Sequence, residues 1–191
     1  MDRAQIITQG LCVMGFCNGE ELGALVDLVK GAPPQNSLVE IGVWFGRTLT
    51  VFGLAAHEGQ LVVGIDPFTP GIPGGTTFGP ATYQQVRTTL DFSHLQDVVL
   101  LPAASQSIAR FWGAPISVLF LDGDHSSFGV WQDITGWQEF VVPGGCVIFH
   151  DYTHPSWPGV KEVVDKWHAA VGDKWSLMGQ FAFLRAYRRK T

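Results

Sequence analysis

The sequence predicts a doubly wound α/β fold: a mostly parallel seven-stranded sheet with helices on both faces and an antiparallel C-terminal strand. Three observations lead there. Short, nearly continuous apolar runs alternate with segments of helical periodicity five times along the chain, which is how a parallel sheet covered on both faces reads. The first run, Leu38-Val39-Glu40-Ile41, passes through Gly42 and Gly46 into a helical segment, giving a strand, glycine loop, helix unit. The runs end on polar residues, notably Asp66, Asp122 and His150-Asp151, and open α/β sheets bind ligands beyond the carboxyl ends of their strands.

Taken in order, residues 1–19 show little beyond an apolar patch at 11–16 and are expected to form an N-terminal extension or lid. Leu22, Leu25, Val26 and Val29 make a helical stripe that starts near Asn18 or Glu20 and stops at Gly31. The first strand follows, then a helix over 48–57 and a second strand over 61–66. Residues 67–80 are rich in Pro and Gly and read as a substrate loop. A helix over 81–92, a strand over 98–101, a short helix over 105–112 and a strand over 116–121 come next. Val130, Ile134, Trp137 and Val141 recur at spacings of four, three and four, which predicts a helix over 128–140 stopped by Pro143-Gly144-Gly145. Strand five spans 146–149. A helical stripe at Val160, Val163, Val164 and Trp167 precedes a closing antiparallel pair, 175–178 and 181–187, turning around Gly179.

With 191 residues the chain is expected to be one domain over 1–191, long enough for a full core. A net charge of −5 with scattered basic residues argues against a nucleic-acid surface, which needs clustered Lys and Arg. Three cysteines without a C-x-x-C pair fit reduced thiols rather than a disulfide framework. No stretch approaches the ~20 apolar residues of a membrane span, and the N-terminus has no apolar export segment. The expected setting is the cytoplasm, with no membrane partner.

The strand tips carry the chemistry. A dinucleotide loop places glycines at G-x-G-x-x-G, whereas here Trp44 and Phe45 stand between Gly42 and Gly46 and would crowd a pyrophosphate. Glu40 suits a cationic amino group or a ribose hydroxyl and is unwelcome beside phosphate. A phosphate-free adenosine derivative with an amino-acid tail fits better. Asp66 stands where a ribose would offer two hydroxyls. If strands four and five are neighbours, Asp122 and Asp151 can share a cation between them, and His125 beside it has the pKa of a general base.

On these residues the chain resembles the class I S-adenosylmethionine-dependent methyltransferases. The carriers are Val39-Glu40-Ile41-Gly42-Val43-Trp44-Phe45-Gly46-Arg47-Thr48, Gly64-Ile65-Asp66-Pro67-Phe68, Leu121-Asp122-Gly123-Asp124-His125-Ser126, and Pro143-Gly144-Gly145 through Phe149-His150-Asp151-Tyr152. They are similar to the family of small enzymes that includes macrolide-sugar O-methyltransferases and cephalosporin-hydroxylase-like proteins. The resemblance implies that Glu40, Gly42 and Gly46, with Trp44 and Phe45 in the same loop, surround the methionine part of S-adenosylmethionine. It implies further that Asp66 binds the ribose, and that Ala104 and Ser105 approach adenine while Asp122 borders the cofactor. Asp122, His150 and Asp151 take the metal-ligand positions, and Asp122 and His125 the catalytic ones. Metal-dependent relatives carry an oxygen ligand where His150 stands, so magnesium, manganese and zinc all stay open, as does metal dependence itself.

The expected activity is methyl transfer to a hydroxyl of a small molecule, with His125 taking the hydroxyl proton and a cation lowering its pKa. So small a catalytic domain could complete its pocket with a second subunit, so a homo-oligomer is left open. Rival readings are a dinucleotide oxidoreductase, a metal-dependent hydroxylase or hydrolase on the same fold, and a non-catalytic cofactor-binding domain.

Overall fold

The computed structural model describes residues 1–69 and 83–191. In chain order the elements are α1 (Arg3–Cys12), α2 (Gly19–Lys30), β1 (Ser37–Ile41), α3 (Arg47–Ala55), β2 (Val62–Ile65), α4 (Tyr83–Phe92), β3 (Val99–Leu101), α5 (Ser105–Ala109), β4 (Ile116–Leu121), α6 (Ser127–Trp137), β5 (Val141–Phe149), α7 (Pro158–Val171), β6 (Trp175–Phe181) and β7 (Leu184–Arg189). A 3-10 turn at Gln138–Phe140 joins α6 to β5.

The strands form one seven-stranded sheet in the order β3-β2-β1-β4-β5-β7-β6. β1 through β5 are mutually parallel, and β7 runs antiparallel between β5 and β6. The chain winds outward from β1 in one direction and from β4 in the other, so the break in strand order lies between these two strands. The connections that leave them run to opposite faces of the sheet, α3 into one core and α6 into the other, which is where such sheets form a ligand crevice.

The two sides of β4 show why the apolar runs are continuous. Val118 and Phe120 enter a core with Leu22, Leu25, Leu49, Phe52 and Leu90, whereas Leu119 and Leu121 enter a second core with Ile134, Trp137, Val164 and Trp167. Successive strand residues point to opposite faces, and here both faces are dry. Trp137 and Trp167 are fully buried and anchor the second layer; truncating either to Ala costs about 3–5 kcal/mol.

Two expectations change, and the N-terminal segment gains detail. Residues 1–19 carry a built-in helix: Asp2 and Gln5 form a reciprocal capping box at the start of α1, and a Cβ on Gly10 would meet Val51 Cγ2 at 2.5 Å. A helix of ten residues with only Ile6 and Gly10 buried leaves too narrow a stripe to read as periodicity. Pro143-Gly144-Gly145 lies inside β5 rather than ahead of it. A Cβ on Gly145 would approach the Ser117 carbonyl oxygen at 2.8 Å, and the β4–β5 register shifts there, so these residues mark an irregularity in a strand. The C-terminal turn falls at Ala182 and Phe183, with Gly179 in β6 at a register shift. The expected loop at 67–80 and the start of the helix expected over 81–92 fall largely outside the described residues.

Candidate functional site

β1 ends at the crevice and its continuation is fixed by close approach. Gly42 donates its N–H to the Ile65 carbonyl at 2.9 Å and turns with φ of 85°. A Cβ there would lie 2.0 Å from the Asp122 carbonyl oxygen and 2.7 Å from the Gly123 nitrogen. Only glycine fits where the β1 and β4 tips touch. The chain then passes Trp44, also left-handed with φ of 48°, to Gly46 with φ of 84° at the start of α3.

Asp66, just after β2, holds this loop. Its Oδ2 accepts the N–H groups of Val43 at 2.9 Å and Trp44 at 3.0 Å, and its Oδ1 accepts that of Phe68 at 2.7 Å. Trp44 stacks face to face on Phe16, with ring centroids 4.7 Å apart, and meets Phe45 edge-on. The segment before α2 therefore covers one side of the loop. Arg47 pins that segment by donating to the carbonyls of Val13 and Cys17, both at 2.7 Å.

Glu40 is fully buried in the middle of the sheet edge facing this loop. The Thr48 hydroxyl donates to its Oε1, whereas Oε2 has no partner. Burial drives the Glu40 carboxyl well above its ordinary range, against the Thr48 hydrogen bond. A positive charge brought to Oε2 would restore its ionisation and satisfy the orphaned oxygen.

The tips of β4 and β5 lie side by side, with Leu121 paired to Phe149 and the His150 N–H on the Leu121 carbonyl. Four side chains converge on this edge. His125 Nε2 lies 3.2 Å from Asp122 Oδ1 and 2.8 Å from Asp151 Oδ2. His150 Nδ1 lies 3.1 Å from Asp122 Oδ1 and 3.4 Å from Asp151 Oδ2. Each carboxylate is thus bracketed by two imidazoles. Burial disfavours every charge here, but the opposite charges win: both aspartates sit below the usual carboxylate range, His125 is raised to about 9 and His150 well above its ordinary value. One donor atom from each of the four falls within 4.8 Å of the others, and two carboxylates with two imidazoles suit a divalent transition metal better than magnesium. The ring of Trp157 stacks on His125 with centroids 4.9 Å apart, fixing the imidazole plane. Asp124, next in the motif, instead accepts from the Ser126 N–H and hydroxyl as a local turn cap.

Ala104 and Ser105 lie at the β3 tip, where α5 begins. Here the structure adds a residue that the sequence reading missed. Asp133 on α6 is buried, and its Oδ1 accepts from the Ser105 hydroxyl and, at 3.0 Å, from the Gln106 amide. The signal was present: Val130, Asp133, Ile134 and Trp137 fall at i, i+3, i+4 and i+7, so a carboxylate occupies the core-facing stripe. Burial lifts Asp133 from 3.8 to about 6 despite the Ser105 hydrogen bond. Because the folded value is raised, protonation of this group stabilises the fold fully below its unfolded pKa, and the contribution is lost as pH rises through about 6. Asp133→Asn keeps the acceptor and removes the charge. The expected result is a gain of up to about 3 kcal/mol at pH 8 and little change at pH 4, read from urea midpoints at the two pH values.

Of the residues expected at the site, Glu40, Gly42, Trp44, Phe45, Gly46 and Asp66 meet at the β1–β2 side, and Asp122, His125, His150 and Asp151 at the β4–β5 side. Gly42 joins the two groups through its contact with Asp122. Among the described residues, no helix is long and apolar enough to cross a membrane.

Solved structures share this architecture. The O-methyltransferase NovP superposes with a TM-score of 0.75 at 22% identity, over 91% of this chain and 81% of that one. CalS11, the TDP-rhamnose 3'-O-methyltransferase of calicheamicin biosynthesis, gives 0.65 at 21% identity over 98% and 80%. An O-methyltransferase from Bacillus cereus in complex with SAH gives 0.68 at 15% identity over 98% and 89%. The family model described as a methyltransferase domain matches residues 39–152, the span from the middle of β1 through the β5 tip that holds both halves of the crevice. With more than half its length matched, the chain belongs to the methyltransferase-domain family, on the fold of the class I S-adenosylmethionine-dependent enzymes.

Proposed function

We propose that this protein transfers the sulfonium methyl of S-adenosylmethionine to a hydroxyl of a small molecule. The observation that carries the reading is the contact at Gly42, which sets a phosphate-free cofactor loop directly against an acid–base cluster. The names of NovP and CalS11, both O-methyltransferases and the latter acting on a sugar, support a hydroxyl acceptor.

In this reading the Glu40 carboxylate binds the methionine ammonium through its unpartnered Oε2. Asp66 binds the ribose; a carboxylate has about four acceptor positions and three already take loop N–H groups, so a ribose hydroxyl finds one open place. Ala104 and Ser105 border the adenine, with Ser105 and Gln106 oriented by Asp133. His125 takes the acceptor's proton, and its place between Asp122 and Asp151 keeps the resulting imidazolium stable. Bringing acceptor and methyl into one complex supplies much of the rate. A divalent cation fits the oxygens of Asp122 and Asp151 with His150, and would lower the pKa of a bound hydroxyl.

Calorimetric titration with S-adenosylhomocysteine tests the cofactor assignment. Wild type is expected to bind in the micromolar range, roughly −8 kcal/mol. Asp66→Ala should weaken this at least about tenfold, a loss of about 1.4 kcal/mol or more, since it removes both a ribose acceptor and the anchor of the loop. A wild-type protein that binds no S-adenosylhomocysteine, with or without magnesium, manganese or zinc, would overturn the assignment.

A further inference from the structure

Behind the catalytic edge, His150 turns its other nitrogen toward Glu21, in the first turn of α2. Glu21 and Cys17, on the segment pinned by Arg47, are both buried, and one donor atom from each of Cys17, Glu21 and His150 falls within 4.8 Å of the others. His150 Nε2 is itself buried and has no hydrogen-bond partner; Glu21 Oε1 is 3.6 Å away. We propose that Cys17 Sγ, Glu21 Oε1 and His150 Nε2 form a zinc site that fastens the segment before α2 to the tip of β5.

The donor set suits zinc, which takes thiolate, imidazole and carboxylate together, whereas magnesium and calcium take oxygens. With bonds of about 2.1 Å to nitrogen and oxygen, a tetrahedral edge is roughly 3.4 Å, close to the Glu21–His150 separation. All three residues are held before any ion arrives. The Asn18 and Phe183 N–H groups donate to the two Glu21 oxygens at 2.8 and 3.1 Å, and the Cys17 carbonyl accepts from Arg47. His150 directs Nδ1 at Asp122, the carboxylate–histidine–metal arrangement that orients a metal-binding imidazole. Zinc on Nε2 leaves that contact intact, so with zinc bound His150 no longer serves the acceptor-side cation, which would rest on the Asp122 and Asp151 oxygens alone. Binding releases the thiol proton and the Nε2 proton to solvent, zinc stays divalent, and a fourth position falls to water.

The site would couple two regions. Phe16, next to Cys17, stacks on Trp44 of the glycine loop, so a metal here locks the cover of that loop to the β5 tip that Asp151 follows.

Cobalt reports a thiolate ligand by a cysteinate-to-metal charge-transfer absorption. Metal-stripped full-length protein titrated with cobalt is expected to develop this band at one equivalent, and zinc should displace it. Cys17→Ser and Glu21→Gln should weaken zinc at least about 100-fold and about tenfold respectively. His125→Ala, which alters only the acceptor-side cluster, should keep the band, as should Cys12→Ser and Cys146→Ser. Folding is checked by circular dichroism, and cofactor binding separately with S-adenosylhomocysteine. If the Cys17 variant does not fold, retention of the band in both other cysteine variants assigns the thiolate to Cys17. Absence of the band in wild type, its survival in folded Cys17→Ser, or its loss in His125→Ala, Cys12→Ser or Cys146→Ser would overturn the proposal.

Discussion

Gly42→Ala is expected to destabilise the protein by roughly 2–5 kcal/mol and to abolish S-adenosylhomocysteine binding in whatever fraction stays folded. Two costs add. A side chain at a left-handed φ costs about 1–2 kcal/mol, and the new Cβ would sit 2.0 Å from a backbone oxygen of the neighbouring strand tip, where relief requires moving β1 away from β4. Overpacking of this kind costs about 1–3 kcal/mol. Total stabilities are of the order of 5–15 kcal/mol, so the loss is a large share. Gly59 is the matched control: its φ is 73° and a Cβ added there would have nothing within 4 Å, so Gly59→Ala should show the conformational cost alone, about 1–2 kcal/mol. Equal urea midpoints for the two variants would mean that the β1–β4 contact is not tight, and the argument joining the cofactor loop to Asp122 would fail with it.

His125→Ala should lower turnover by about 10²–10⁴-fold, the usual contribution of a general base, while S-adenosylhomocysteine affinity stays within a few-fold of wild type. The pH profile carries the sharper test. With His125 raised to about 9 by Asp122 and Asp151, the imidazole is protonated at neutral pH and the neutral base is the minor form. Turnover should therefore rise about tenfold per pH unit from neutrality and level off above about 9. Neutralising the two aspartates removes what holds the proton, so an added divalent cation that binds them should move this limb to lower pH. A flat profile in wild type, or an unchanged rate in His125→Ala, would take His125 out of the mechanism.

Much of the architecture was legible because it rests on local signals. The apolar runs of β1, β2, β4 and β5 are buried on both faces and have no competing reading, and Gly31 and Asn18 mark the ends of α2 where they fall. What escaped depends on neighbours distant in the chain. Pro143 and the glycines after it look like a stop, but Ser117 and its partners on β4 let the strand run through them. α1 is short and shows only its capping box. At the site, polar residues at strand ends revealed Asp66, Asp122, His125 and His150-Asp151, since the topology rule says where to look. Glu21, Cys17 and Asp133 were invisible to that rule because they come from helices and from the segment before α2. Their meaning lies in contacts with His150 and Ser105 that no spacing encodes.

The left-handed backbone at Trp44, Phe68 and Asp151 bears on how this molecule comes apart. Each such residue carries a local cost of about 1–3 kcal/mol that persists only while its surroundings hold it, and all three stand at strand tips. The lowest-energy openings should therefore start at the ligand-binding rim while β4 and β5 remain intact. Amide exchange at Val43 and Trp44 would then track the grip of the Asp66 carboxylate, and a filled crevice would slow it long before global stability changed.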